Sequence, residues 1–471
     1  MNSLPAPNLL DAARRRLYLF LKIASICVLI GLLHIPLAMT SGVLRERQSY
    51  QAAATETIAS TWGREQCLLG PVLAVPYDYN VKVFRSKTVD ARVVQVADVE
   101  VASATAYFLP EELTVNGTVA PEVRRRGIYE AVVYHASAQL SGRWRPDFAA
   151  AGIEADRVHW EKARVHLGVS DVHGIRAVGA LQVGGNEATF EPSDSSSASA
   201  LPLVAKLRGL TGGDALEFAV TVETQGSSRI TVAPTGKATT VTLASAWPDP
   251  SFDGAALPVE RSVSPAGFQA RWQSSHLSRG FPQHWTDRQV NTDELTARIK
   301  TASFGVTFAR PIDGYGMTHR AQKYGTLFFV LTFTVFFLFE VIAQLRIHWL
   351  QYALVGAALC LFFLAFLALS EFWPTGAAYA TAAAACTLMI SLYTHTFLRA
   401  GRRTLVVLGG LVATYAYLYF VLQSQDYALL AGTAALFVAL GLVMFFTRRI
   451  DWGTVGAADA AHSSAATPEG R

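Results

Sequence analysis

The placement of apolar runs constrains this chain more than any other feature. Residues 17–39 form one predominantly apolar stretch, and five more follow at 324–345, 349–369, 376–398, 404–422 and 427–446. At 1.5 Å rise per residue, each is long enough to cross a hydrocarbon core of about 30 Å. A bilayer offers no water to unpaired backbone groups, so such runs must be helical. The reading is therefore a polytopic α-helical membrane protein with six transmembrane helices. Arg14, Arg15 and Arg16 precede the first run, which is longer than the apolar core of a signal peptide. It reads as an uncleaved anchor.

Between the first and second runs the texture changes. Over 40–323 prolines, glycines and charges return, and apolar residues alternate with polar ones. Leu216, Phe218, Val220 and Val222 fall on one face of a strand, and Glu217, Thr221 and Glu223 on the other. The segment RIKTASFGVTFARP repeats the pattern with Ala302, Phe304, Val306 and Phe308. Period-two alternation broken by turn residues predicts mainly antiparallel strands with one solvated face, in a sandwich-like domain. Just after the anchor, LRERQSYQAAATETIASTWG lacks strand formers and is expected to continue as helix. Ser193 to Ala200 reads as a loop within the domain.

Composition fits a part-membrane, part-soluble chain: 51% of residues are hydrophobic and 16% charged, against about 25% charged in soluble domains. A net charge of +4 with no basic run interleaved with aromatics gives no ground for nucleic-acid binding. Of four cysteines only Cys67 lies outside the apolar runs, so neither a disulfide framework nor a cysteine-based zinc site is expected.

Short-loop arginines set the orientation, because Lys and Arg are retained on the cytoplasmic side. Residues 1–16, the loop at Arg346, the loop at Arg399, Arg402 and Arg403, and the tail at 448–471 with Arg448 and Arg449 carry them. The short loops around Glu371 and Asp426 carry none. Both termini are expected in the cytoplasm, the tail as a disordered segment, and the large domain outside, between helices 1 and 2. Residues 324–447 would form a five-helix membrane domain.

Chemical motifs are scarce. No GxSxG, HExxH, Walker-type GxxxxGK or Rossmann glycine pattern occurs. His159, His166 and His173 recur every seven residues, but odd spacing puts successive residues on opposite faces of a strand, so they read as locally bonded, not as metal ligands. Asp171 and Gly174 read as a turn in which the glycine takes positive φ. Trp247, Trp272 and Trp285 read as core. No catalytic residue, cofactor site or metal site is expected.

Glu340 stands out as a carboxylate inside an otherwise apolar span. A charge in lipid costs roughly 2.5–3.5 kcal/mol on insertion scales. Two readings are open for it: snorkelling to water from near the helix end, or pairing with Arg346, Gln344 or His348. Asp313, Tyr315, Arg320 and Lys323, in RPIDGYGMTHRAQKYG, are candidates for coupling the domain to the second span. The bland reading is anchorage at lipid headgroups.

The segments LLGPVLAVPY, RRRGIYEAVVYHA, SDVHGIRAV, WPDPSFDGAALP, GFQARWQSSHL, DGYGMTHRAQKYGTLFFVLTFTVFFLFE and TRRIDW, in this order, resemble the CreD family of inner-membrane proteins. The resemblance implies a Gram-negative inner-membrane protein tied to cell envelope integrity and to tolerance of certain colicins, expressed under a two-component sensor–regulator pair. It carries no catalytic chemistry onto particular residues. The leading expectation is a non-enzymatic scaffold or binding protein whose outer domain meets an envelope protein, glycan or lipid, while the helices meet the bilayer. A membrane-embedded enzyme or transporter, and an insertase-like factor by analogy of topology, stay open. The insertase reading asks for a buried basic residue among the spans, and the sequence shows none.

Overall fold

The computed structural model describes residues 9–89, 92–193, 201–210, 215–308, 314–343, 347–398, 401–423 and 428–447. The chain divides into two compact units, Met1–Tyr50 with Ile312–Arg471, and Gln51–Pro311. Helix α1, Leu9–Trp62, begins in the first and ends in the second. It runs straight through the segment expected to continue as helix, where alanines and long polar side chains favour that state. The expected loop after Ser193 lies outside the described residues.

The second unit is a β structure of two nine-stranded sheets. At the centre of the first sheet lies Gln66–Val89, paired antiparallel with Arg92–Phe108 and with Arg164–Val169. At the centre of the second lie Glu112–Arg126 and Tyr129–Trp144, paired antiparallel. Two parallel pairings interrupt the antiparallel pattern, Gln66–Leu68 with Ile230–Val232 and Ala238–Ser245 with Glu112–Val119. Both sheets feed one core: Leu73 and Val75 from the first meet Val115, Leu140 and Phe218 from the second, around Trp144 and Trp272. Leu216, Phe218, Val220 and Val222 are buried, and Glu217, Thr221 and Glu223 exposed, as alternation requires.

In RIKTASFGVTFARP the period-two reading holds for Phe304, Val306 and Phe308, which are buried in the strand Phe304–Phe308. Ala302 falls outside it, because helix α2, Thr292–Thr301, ends there. Asn291 caps α2 by accepting from the Asp293 N–H, and Asp293 and Glu294 sit in its first turn, where the helix dipole favours acids. Leu295 and Ile299 of α2 cover a second, smaller core with Leu69, Val72, Leu109 and Trp285.

The first unit holds the N-terminal part of α1 with α3 (Gly314–Lys323), α4 (Gly325–Ala343), α5 (Trp349–Ser370), α6 (Thr375–Leu398), α7 (Gly401–Gln423) and α8 (Ala428–Thr447). Six spans are expected from sequence. Among the described residues four helices are long and apolar enough to cross a membrane: Phe20–Trp62, Trp349–Ser370, Thr375–Thr396 and Thr404–Gln423. In α4 and α8 the qualifying stretches, Gly325–Phe337 and Leu430–Leu442, are shorter. The interior is aromatic, with Phe328, Phe329, Phe333, Phe362, Phe363 and Phe366 nearly inaccessible. Helix α1 docks closely through Leu33 and Leu37. A Cβ added at Gly356 would sit 2.5 Å from Leu33, and one at Gly325 2.8 Å from Leu37. Small residues at such crossings let membrane helices approach.

Candidate functional site

The polar centre of the membrane unit is built from three helices and a connection. Lys22 of α1 and Glu340 of α4 meet at 3.2 Å, with side chains only 7% and 8% exposed. The Tyr352 hydroxyl of α5 donates to Glu340 Oε2 at 2.8 Å. The Ile347 N–H, in the connection from α4 to α5, donates to Glu340 Oε1 at 3.2 Å. Lys22 Nζ donates to the carbonyl of Ile347 and lies 5.0 Å from the Tyr352 ring centroid. The carboxylate thus accepts from three donors and the ammonium faces a carboxylate, a carbonyl and a π-face. Such pairing is what makes a buried charge tolerable.

Glu340 is therefore buried and paired, not snorkelling. Its expected partners Gln344 and Arg346 lie outside the described residues. His348 caps α5 instead, its ring accepting from the Leu350 N–H. Lys22 is the residue that sequence reading missed. A signal existed: Lys22, Leu33, Leu37 and Leu44 fall within about 60° of one another at 100° per residue, and all four are buried. Lys22 is also the buried basic residue whose absence counted against an insertase-like role. It faces Glu340, and the groove beside it, about 370 Å³ between α1 and α5, is lined by apolar Ile26, Val28, Leu29 and Leu32 with Trp349.

Three further polar contacts hold α1 along its length. His34 Nε2 is 2.9 Å from Thr326 Oγ1, Ser41 donates to Gln322 Oε1 at 2.9 Å, and Arg47 lies 3.6 Å from Glu371. Tyr315 donates to the same Glu371 at 3.0 Å. Of the expected coupling residues, Asp313 lies outside the described residues. Arg320 is half-buried, and its Nε has no hydrogen-bond partner among the described residues. Lys323 is exposed. The structure joins Tyr315 to Glu371.

In the β unit the three histidines have separate surroundings. His159 bonds Asp78 at 3.0 Å and Glu161 at 3.2 Å. The Ser103 hydroxyl, and then His159, hold the Asp78 carboxyl below its usual range. His173 bonds Asp171 at 3.0 Å. The turn at Asp171 forms, but Gly174 is needed for close approach and not for positive φ. A Cβ there would fall 2.3 Å from Gln66 Nε2 and 2.4 Å from the Gln225 carbonyl.

His166 differs from both. It is 8% exposed, on the face of Arg164–Val169 opposite the main core. Its Nδ1 is shut off from solvent and has no hydrogen-bond partner among the described residues. Burial, reinforced by Arg164, lowers its pKa to about 4, so the ring is neutral at pH 7. His166 lines a cleft of about 480 Å³ with Tyr107, Leu201, Asp287, Arg288 and Asn291. Tyr107 stacks on the buried Trp285, centroids 5.2 Å apart. Burial, then the nearby Asp287 charge, raise the Tyr107 pKa, so its hydroxyl keeps its proton. A second cleft of about 370 Å³, lined by Asp78, Tyr79, Glu154 and Arg157, shares Arg288 and Gln289 with the first.

A family profile described as inner membrane protein CreD matches residues 18–453, a range that includes Lys22, His166 and Glu340. The chain belongs to the CreD family. Inner membrane protein CreD of Escherichia coli is 32% identical over 440 residues, which cover 92% of this chain and 94% of that protein. Likeness to solved structures is slight. An M1 zinc metallopeptidase of Deinococcus radiodurans aligns with TM-score 0.21 at 12% identity, over 35% of this chain and 39% of the other. A yeast LTA4 hydrolase aligns with TM-score 0.17 at 9% identity, over 35% and 26%. At such scores the likeness carries no argument. This CreD-family chain is thus an inner membrane family member with membrane-spanning helices and a large β unit.

Proposed function

We propose that this CreD-family protein supports envelope integrity and colicin tolerance as a non-enzymatic binding or scaffold protein. Its β unit would lie in the periplasm, both termini in the cytoplasm, and α4 and α8 would cross the bilayer beside the four longer helices. The loop arginines support that orientation, and the 19 and 20 residues of α4 and α8 support the extra crossings.

One observation carries the binding reading. Among the described residues, the buried charges Lys22 and Glu340 close on each other, and Tyr352 and Ile347 bond to them as well. Transport normally needs ionisable groups at depth that face a pathway, and here they hold helices together. The β unit, by contrast, presents polar clefts, one of them lined by a buried histidine whose Nδ1 has no hydrogen-bond partner among the described residues. Crosslinking in intact cells from a photoreactive residue at position 289, followed by identification of what is attached, tests the reading. An envelope component attached there is the expected result. Attachment only to lipid, or to nothing, would count against a binding role for this unit.

A further inference from the structure

The cleft beneath the segment 287–293 has a chemistry that restricts what can occupy it. Its base is Tyr107, His166 and Leu201, and its wall carries Asp287, Arg288 and Asn291. The wall is fixed in place, since the Asp287 N–H donates to the Thr105 carbonyl and the Thr105 N–H donates back to the Asp287 carboxylate, at 3.1 and 3.0 Å. The volume falls within the ~300–1,000 Å³ of small-molecule sites.

We propose that this cleft, with its neighbour across Arg288 and Gln289, is a binding site for a neutral oligosaccharide. The inference rests on the binding role proposed above for the β unit and names its ligand class. His166 lines the cleft as an uncharged imidazole, and its ligand must suit either tautomer. A hydroxyl both donates and accepts, so it does; a carboxylate or phosphate suits only a ring N–H. The charges agree. Asp78, Glu154, Asp287 and Asp293 line the two clefts against Arg157 and Arg288, a balance that repels anions. Carboxylates and the amide oxygens of Gln289 and Asn291 accept from hydroxyls, while arginine and amide N–H groups donate to them. Such a mixed set matches a surface carrying many hydroxyls. Two clefts joined through shared residues suit a chain of several sugar units better than a single ring.

The test uses the full chain in lipid nanodiscs, free of glycoside detergent, titrated calorimetrically with chitotetraose, with maltotetraose and with tetralysine. The expected result is saturable heat with at least one of the two saccharides and none with tetralysine, weakened at least tenfold in Arg288→Ala and in His166→Phe. Arg288 is exposed, so its variant keeps the test meaningful if His166→Phe fails to fold. No heat with either saccharide overturns the proposal, as does binding of tetralysine alone or saccharide binding indifferent to Arg288→Ala. The crosslinking experiment separates this failure from that of the wider reading. An envelope component captured at position 289 without saccharide heat removes only the ligand class, whereas failure of both removes the binding role.

Discussion

Lys22 and Glu340 meet at 3.2 Å inside the membrane unit, and Ile347 binds both, its N–H on the carboxylate and its carbonyl on the ammonium. The first membrane helix is thereby tied to the connection between α4 and α5. Removing either charge alone leaves the other buried without the opposite charge it meets here.

Single neutralisation should therefore be costly and double neutralisation mild. Breaking one side of a buried pair typically costs about 3–5 kcal/mol, while replacing both partners by apolar residues is often neutral. Glu340→Leu and Lys22→Met should each lower the melting temperature in detergent by several degrees, and the double variant should recover most of that loss. Glu340→Gln should fall between, because the Tyr352 and Ile347 donors sit on different carboxylate oxygens and the amide NH2 that replaces one of them cannot accept. A Glu340→Leu protein as stable as the parent would contradict the pairing.

Reporter fusions test the proposed orientation. A reporter active only in the cytoplasm should give signal after Arg403 and after Arg449, and none after Glu223 or Asp426. Signal from the Glu223 fusion would reverse the placement of the β unit.

Residues 51–311 form their own compact unit with their own cores. Produced without the membrane helices, they should fold as a soluble protein with a β-dominated circular dichroism spectrum. Reductant should leave the spectrum unchanged, because Cys67, the cysteine of this unit, is a buried free thiol. A helix-dominated spectrum would contradict the architecture.

Acid should weaken this unit through His166. Its folded pKa, about 4, lies below the ordinary 6.5. Between those values the unfolded chain takes up a proton that the folded one refuses, so stability falls as pH drops through that window, by up to about 3 kcal/mol. Asp78 is held below its usual pKa, chiefly by the Ser103 hydroxyl, so its contribution is lost only at lower pH. Melting temperature followed from pH 7 to 4 should decline in the parent and decline less in His166→Phe. Parallel curves would show that His166 is not the responsible group.

Local pattern made much of the chain legible. Leu216, Phe218, Val220 and Val222 declare a strand and its buried face without reference to anything distant, because side chains alternate strictly along extended backbone. The continuation of α1 to Trp62 follows from composition alone. Helix α2 was legible too, from Asn291 with Asp293 and Glu294, and of the period-two run only Ala302, where α2 ends, lies outside the strand. Gly174 shows the limit of turn rules: its neighbours Gln66 and Gln225 are remote in sequence, and their approach, not its φ, excludes a side chain.

From the sequence alone came the membrane segments, the strand-rich intervening domain, and Glu340 as the polar oddity of an apolar helix. These depend on the solvent each residue can tolerate, which short windows record. Tertiary structure alone decided what Glu340 holds and where a buried histidine lies. Ile347 is 325 residues from Lys22, and His166 comes beside Tyr107 and Asp287 only because a strand and the turn before α2 meet at one sheet face. Pairings of that kind depend on which helices and strands become neighbours in space, and no local periodicity encodes it.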